Sequence, residues 1–276
     1  MTETEVGYGI VGAGRLARAI TGRLARFGAP PGLIFSRTPA RASVLAQEVG
    51  WRLAGSAAEV LAASRLTLLC VPDSEIEPLA EELGSGPDLH DRVVAHCSGS
   101  QGLGPLAPLS ARGIRLGVFH PLAPVPDGDP SCLDQTFISL EADPAAREEL
   151  LELARLIDCR VIEMGAVDRP LYHAAAVFAG VLPVLLEQLA EQLGTAAGGG
   201  AELGDGLRAL HWASARNVLR LGPVLGLSGP QQRRDGATVS AHRQALGRFD
   251  PALAHLYASI QEAARTGPAD RTGQGG

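Results

Sequence analysis

The feature that most constrains this chain is the turn Gly12-Ala13-Gly14-Arg15-Leu16-Ala17. It follows an apolar run, Val6-Gly7-Tyr8-Gly9-Ile10-Val11, and leads into Leu16, Ala19, Ile20 and Leu24 at helical spacing. A G-x-G-x-x-A turn between a strand and a helix is the context in which this pattern binds a dinucleotide. Gly12 allows the tight turn, Gly14 admits a pyrophosphate against the backbone, and Ala17 lets the helix pack close to the sheet. The helix start adds free N–H groups and a partial positive charge. Gly12, Ala13, Gly14, Arg15 and Leu16 are therefore expected to cradle a cofactor.

The next stretches repeat the alternation. Leu33-Ile34-Phe35 reads as a second strand, and Thr38-Pro39 as the cap and first position of a helix over 39–49. A short strand near Trp51–Leu53, a helix over 57–63 and the apolar run from Arg65 to Val71 follow; such a continuous run suits a parallel strand buried on both faces. Pro72-Asp73 ends it, with Asp73 expected to cap a helix over 74–83. Strands at 93–96, near 115–119, 136–140 and 160–163, with a helix over 144–157, extend the series. This alternation predicts an α/β fold with a doubly wound sheet.

Strand signals stop near 165. Leu/Ala-rich helical stretches take over at 168–194, 202–221, 236–247 and 251–265, with a Gly-rich hinge at Thr195–Gly206. The expected organisation is an α/β domain over 1–165, an all-helical C-terminal domain over 166–265 and a disordered tail over 266–276. The longest apolar run, Ala174 to Leu186, contains Pro183 and falls short of the about 20 residues of a membrane span. It is expected to be a buried helix, with no membrane involved.

Composition excludes other classes. Lys+Arg number 24 against 30 Asp+Glu, a net charge of −6, which argues against a nucleic-acid surface. The seven histidines show no H-x-x-x-H spacing, so no metal site is expected. Ser98 lies in Cys97-Ser98-Gly99, not in a G-x-S-x-G nucleophile elbow. Cys70, Cys97, Cys132 and Cys159 form no C-x-x-C pair, and the first residues do not read as a signal peptide, which predicts reduced thiols in a cytoplasmic protein.

The end of the second strand faces the adenosine ribose in such folds, where an NAD enzyme places a carboxylate. This chain has Ser36-Arg37-Thr38 there. Hydroxyls can donate to a 2′-phosphate and arginine can pair with it bidentately, so NADP (NADPH) is predicted over NAD. Cys70, Val71 and Pro72, at the carboxyl edge of the sheet, are expected to lie beside the cofactor.

Three further polar groups interrupt apolar surroundings: His96-Cys97-Ser98-Gly99-Ser100, Phe119-His120-Pro121-Leu122 and Tyr172-His173. Together with the glycine turn, Ser36-Arg37-Thr38, Val71-Pro72-Asp73, Leu106-Ala107-Pro108-Leu109, the run Leu171 to Ala179, Ser228-Gly229-Pro230 and Asp235-Gly236-Ala237-Thr238-Val239 with His242, they carry a resemblance. The chain resembles bacterial Rossmann-like oxidoreductases with a C-terminal helical domain of uncharacterised function. These are relatives of pyrroline-5-carboxylate reductase and of the 6-phosphogluconate and 3-hydroxyacid dehydrogenases. The resemblance spans roughly residues 6–260 and implies an NAD(P)-binding domain, a homodimer through the helical domain and a substrate cleft between the two domains. The chain departs from the family pattern at Ala123, Gly180 and Val181, where polar residues are usual, and at Gln231-Gln232-Arg233-Arg234. These changes point to a changed substrate.

The expected reaction is hydride transfer from NADPH to a small carbonyl, such as a ketopantoate-like ketoacid, or to an imine, with a slight lean to the carbonyl. His120 and His173 are the expected proton donors. Ser98, Gly99, Ser100 and Tyr172 are expected to contact substrate, as are Asn217, Arg234, Thr238 and His242. The alternative is a non-catalytic NADP-binding regulator or assembly partner.

Overall fold

The computed structural model describes residues 6–165, 167–229, 233 and 235–265. The expected tail at 266–276 lies outside the described residues. The chain divides into two compact units, Met1–Val184 and Leu185–Gly276. The composition shift near 165 marks where strands stop; the packing division falls after the helix Arg169–Gly180.

The first unit opens with β1 (Val6–Val11), α1 (Arg15–Arg26), β2 (Leu33–Phe35), α2 (Pro39–Val49), β3 (Arg52–Leu53), α3 (Ala57–Ala63), β4 (Ser64–Leu69), α4 (Ile76–Gly84) and β5 (Val93–His96). It continues with β6 (Arg115–Pro121), β7 (Phe137–Ala142), α5 (Pro144–Leu156), β8 (Arg160–Glu163) and α6 (Arg169–Gly180). The sheet order is β3-β2-β1-β4-β5-β6-β7-β8. All neighbours run parallel except β6 and β7, which pair antiparallel through Phe119↔Leu140 and His120↔Ser139.

The period of two along each strand splits the core into two layers. Ile10, Leu66, Leu68 and Ala95 pack with residues of α1, α2 and α5 on one face. Val11, Leu69 and Val94 pack with residues of α3 and α4 on the other. Both faces are covered, which explains the continuous apolar runs. The carboxyl ends of β1, β4, β5 and β6 therefore open onto one edge, where the polar motifs begin.

Two expected caps differ. Thr38 stands at the cap position of α2, but its hydroxyl makes no cap bond. Asp73 begins a short 3-10 turn instead of capping α4, because its carboxylate is engaged by serine hydroxyls across the sheet edge.

The second unit holds most of α7 (Leu182–Ala196), with α8 (Ala201–Leu225), α9 (Gly236–Phe249) and α10 (Pro251–Arg265). The expected Gly-rich hinge is narrower than its composition suggests: only residues 197–200 separate α7 from α8, and Gly204 and Gly206 are helical. Helix α8 kinks at Gly222, just past its expected end, where φ is 77°. The expected burial of the run Ala174–Leu186 is not found. Phe178 is 71% exposed, and Val184, Leu185 and Leu186 are also exposed. By length and composition alone, Arg169–Ala196 (28 residues, mean hydropathy 1.5 in its window) could cross a membrane. Its apolar face is left uncovered among the described residues, and periodicity cannot distinguish such a face from a core face.

Candidate active site

The glycine turn is fixed by sterics. Gly12 has φ +116°, and a Cβ there would lie 2.2 Å from the Cys70 carbonyl oxygen. Its N–H donates to Phe35 O at 2.8 Å, which ties the turn to β2. A Cβ on Gly14 would meet nothing within 4 Å, so the backbone is open to a ligand there. Ala17 is fully buried, as the close approach of α1 to the sheet requires. Gly14 caps α1 without a side-chain bond, and no acidic residue stands in the first turn. The helix N–H groups and positive dipole end are therefore left to an anion.

Two hollows flank this turn and share Ala13, Gly14, Arg41, Cys70, Val71 and Pro72. One, about 770 Å³, reaches Arg15, Leu16, Asp73, Cys97 and Ser98. The other, about 610 Å³, reaches Ser36, Arg37, Thr38 and Glu75. In the second, Arg37 pairs with Glu75 at 2.6 Å, and Ser36 Oγ accepts from Thr38 N–H at 3.2 Å. Arg15 donates to Pro126 O at 2.8 Å. These are the residues that would hold an extended dinucleotide, the turn at its phosphates and Ser36–Thr38 at its 2′ position.

Further along the same edge stands a second group. Ser98 Oγ and Ser100 Oγ both donate to Asp73 Oδ2, at 2.8 and 2.6 Å. The buried His96 holds this loop: its Nδ1 accepts from Ser98 N–H at 3.1 Å, so Nε2 carries the proton to Gly102 O at 2.8 Å. Burial lowers the His96 pKa, in keeping with a neutral ring.

His120 Nδ1 lies 2.9 Å from Tyr172 Oη. The His120 and His173 rings meet edge-on with centroids 6.0 Å apart. Gly99 faces both: a Cβ there would come within 2.6 Å of His173 Nδ1 and 2.7 Å of His120 Nε2. Only glycine fits at 99 without displacing the histidines. His173 Nδ1 is buried and has no hydrogen-bond partner among the described residues. Burial first, then the neighbouring His173 and Arg169, push His120 down to about 4. It is a neutral imidazole at pH 7, not an imidazolium.

Arg169 and Glu141 were not among the expected site residues. The buried Arg169 donates through Nε to Glu141 Oε2 at 2.9 Å and through Nη1 to Ser139 Oγ at 3.3 Å. Its guanidinium lies 5.7 Å from the Tyr172 ring centroid. With Asp168 capping α6 through Leu171 N–H, this pair fastens the start of α6 to β7 and so places Tyr172 and His173. The available signal was a charged Asp-Arg-Pro start to an apolar helix.

The structure thus brings Ser98, Gly99, Ser100, His120, Tyr172 and His173 together in the first unit. Asn217, Thr238 and His242 belong to the second. There, Thr238 bonds Asp235 through both N–H and Oγ1, at 3.1 and 2.7 Å, as the cap of α9. His242 Nδ1 lies 3.0 Å from Tyr257 Oη. Asn217 is half-buried on α8. Arg234 lies outside the described residues. Among the described residues no group of three His, Cys, Asp or Glu could hold a metal ion.

Residues 1–121 match the Rossmann-like domain, and residues 136–264 match a domain of unknown function, DUF2520. No curated protein matches the chain. Among solved structures, a Bacteroides fragilis protein assigned as an NADP oxidoreductase is similar at 25% identity and TM-score 0.75, covering 94% of this chain and 97% of that one. Protein TM1727 from Thermotoga maritima is 26% identical with TM-score 0.72, covering 94% and 98%. A reductive aminase from Aspergillus terreus, in complex with NADPH and ethyl-5-oxohexanoate, shares the fold at 20% identity and TM-score 0.63, covering 96% and 95%. The chain is thus similar to the Rossmann-like domain over residues 1–121 and to the DUF2520 domain over residues 136–264.

Proposed function

We propose that the protein is an NADPH-dependent reductase that transfers a hydride to a small C=N bond, with Tyr172 as proton donor. The observation that carries this reading is the Tyr172–His120 contact, with His120 facing Gly99 on the same sheet edge as the glycine turn. The similarity to a protein assigned as an NADP oxidoreductase supports the cofactor.

NADPH, when bound, supplies the hydride; the protein orients the reactants and handles the proton. In its Nδ1–H form, neutral His120 donates to Tyr172 Oη and leaves the hydroxyl proton of Tyr172 free for the substrate nitrogen. The same N–H then stabilises the phenolate oxygen. Asp73 favours the cationic iminium that results. A ketoacid fits less well: Ser98 and Ser100 already donate to Asp73, so a substrate carboxylate there would meet a carboxylate and two serine hydroxyls whose protons are taken. The two histidines suggest carbonyl chemistry by residue type, but a histidine held down to about 4 is a weak source of protons at neutral pH.

The test is NADPH consumption against matched panels of cyclic imines and 2-ketoacids. Turnover of imines with little on ketoacids is expected. Turnover of ketoacids alone overturns the substrate assignment, and tight NADPH binding with no turnover on either panel favours a non-catalytic binder.

The exposed apolar surface of the helical unit supports one further reading, a homodimer formed through it. Leu219 is 84% exposed and Val224 82%, and Trp212 and Leu225 are exposed on the same helix. Side chains of this size left in water mark an interaction surface.

A further inference from the structure

We infer that Cys70 and Cys97 form an oxidisable dithiol in the floor of the dinucleotide cleft, closed to a disulfide by a hydroperoxide when the cleft is empty. The inference rests on the reading that this cleft takes a dinucleotide.

The register explains the pairing. β4 and β5 run parallel with Leu69 opposite His96, so the next residues, Cys70 and Cys97, are also neighbours. Their sulfurs stand 3.8 Å apart, and both side chains are free thiols. A disulfide needs about 2.05 Å between sulfurs and Cα atoms about 4.4–6.8 Å apart, a span that adjacent strands supply. Both residues line the hollow beside Gly14 and Arg15. Cys70 is half-buried and Cys97 buried, so Cys70 is the sulfur a small oxidant reaches first. The hydrogen bond with Cys70, then burial, push the Cys97 thiol up, and its greater exposure makes Cys70 the attacking sulfur.

The chemistry balances with hydrogen peroxide as oxidant. The Cys70 sulfur attacks one peroxide oxygen, the O–O bond breaks, the leaving hydroxide takes up the proton lost by the Cys70 thiol, and a sulfenic acid and one water result. Cys97 sulfur then attacks the sulfenic sulfur, its proton leaves with the hydroxyl as a second water, and the S–S bond forms. Two thiols are oxidised by two electrons and one peroxide is reduced.

The link to function is positional. The Cys70 N–H donates to Val11 O at 2.8 Å, and its carbonyl abuts Gly12. Drawing the sulfurs together moves the strand end against which the glycine turn is packed. A dinucleotide in the hollow shields Cys70 and favours the dithiol. By linkage, a tenfold preference for the dithiol form shifts the couple by about 30 mV.

The test treats the reduced full-length chain with hydrogen peroxide, with and without saturating NADP⁺, and maps the products by mass spectrometry. The expected product is a Cys70–Cys97 disulfide formed at least tenfold more slowly with NADP⁺. The disulfide form should bind NADP⁺ at least tenfold more weakly, with recovery on reduction by a dithiol. In Cys97→Ala the Cys70 sulfenic acid should persist and react with dimedone. Oxidation confined to Cys132 or Cys159, or over-oxidation of Cys70 without cross-linking in the wild type, overturns the dithiol. A cross-link whose rate ignores bound NADP⁺ overturns the coupling. A cross-link in a chain that binds no NADP⁺ sinks the cofactor reading and leaves the dithiol standing.

Discussion

Arg37 and His120 show how single residues set the two halves of the site. Arg37 shares its charge with Glu75, so a 2′-phosphate must compete with a carboxylate for it. Charge-assisted hydrogen bonds contribute about 1.5–3 kcal/mol. Arg37→Ala should therefore weaken NADPH binding about tenfold or more and leave NADH nearly unchanged, by calorimetric titration; equal losses for both would contradict the assignment. His120 has its pKa lowered in the fold, to about 4, so between that value and its ordinary 6.5 the unfolded chain binds more protons. Its contribution to stability is complete above about 6.5 and is lost as pH falls towards 4, on the order of 2–3 kcal/mol. The melting temperature should fall over that window, and His120→Gln should flatten the fall; a profile as steep as wild type would refute the shift. The glycine turn and both histidines were legible in the sequence because each is a residue type with few substitutes. Asp73 was misread because Pro-Asp before a helix is also a capping signal, and only the sheet register reveals that Ser98 and Ser100 reach it.

At the scale of elements, α6 matters most, because it carries Tyr172 and His173 to the sheet edge. Its anchor is the buried Arg169 on Glu141 and Ser139 of β7. Arg169→Leu removes these bonds and leaves Glu141 without its cation. It should destabilise the fold by about 1.5–3 kcal/mol in denaturant titration. Turnover should fall as Tyr172 loses its place; an unchanged melt and unchanged rate would show that α6 is held by other contacts. The β-strands were readable because parallel strands covered on both faces are continuous apolar runs. Arg169–Glu141 was not, since its partners sit on separate elements and nothing local pairs them. The hinge at 195–206 was over-read for a related reason: Gly204 and Gly206 cost helix stability only modestly, and the surrounding helix formers prevail.

For the whole molecule, the proposed dimer follows from apolar side chains left uncovered among the described residues. Light scattering should give twice the chain mass, and Leu219→Glu with Val224→Glu should shift the species to monomer; a wild-type monomer would contradict the interface. The sequence pattern showed an apolar helix but could not show what covers it, since core and interface faces share one periodicity. The central claim is that Tyr172, held by His120, gives the proton that accompanies hydride transfer. The most direct measurement is single-turnover reduction of a neutral cyclic imine by NADPH, wild type against Tyr172→Phe. Loss of about 10²–10⁴-fold in rate, with NADPH affinity retained, is the predicted result. A variant that reduces the imine as fast as wild type would contradict the account.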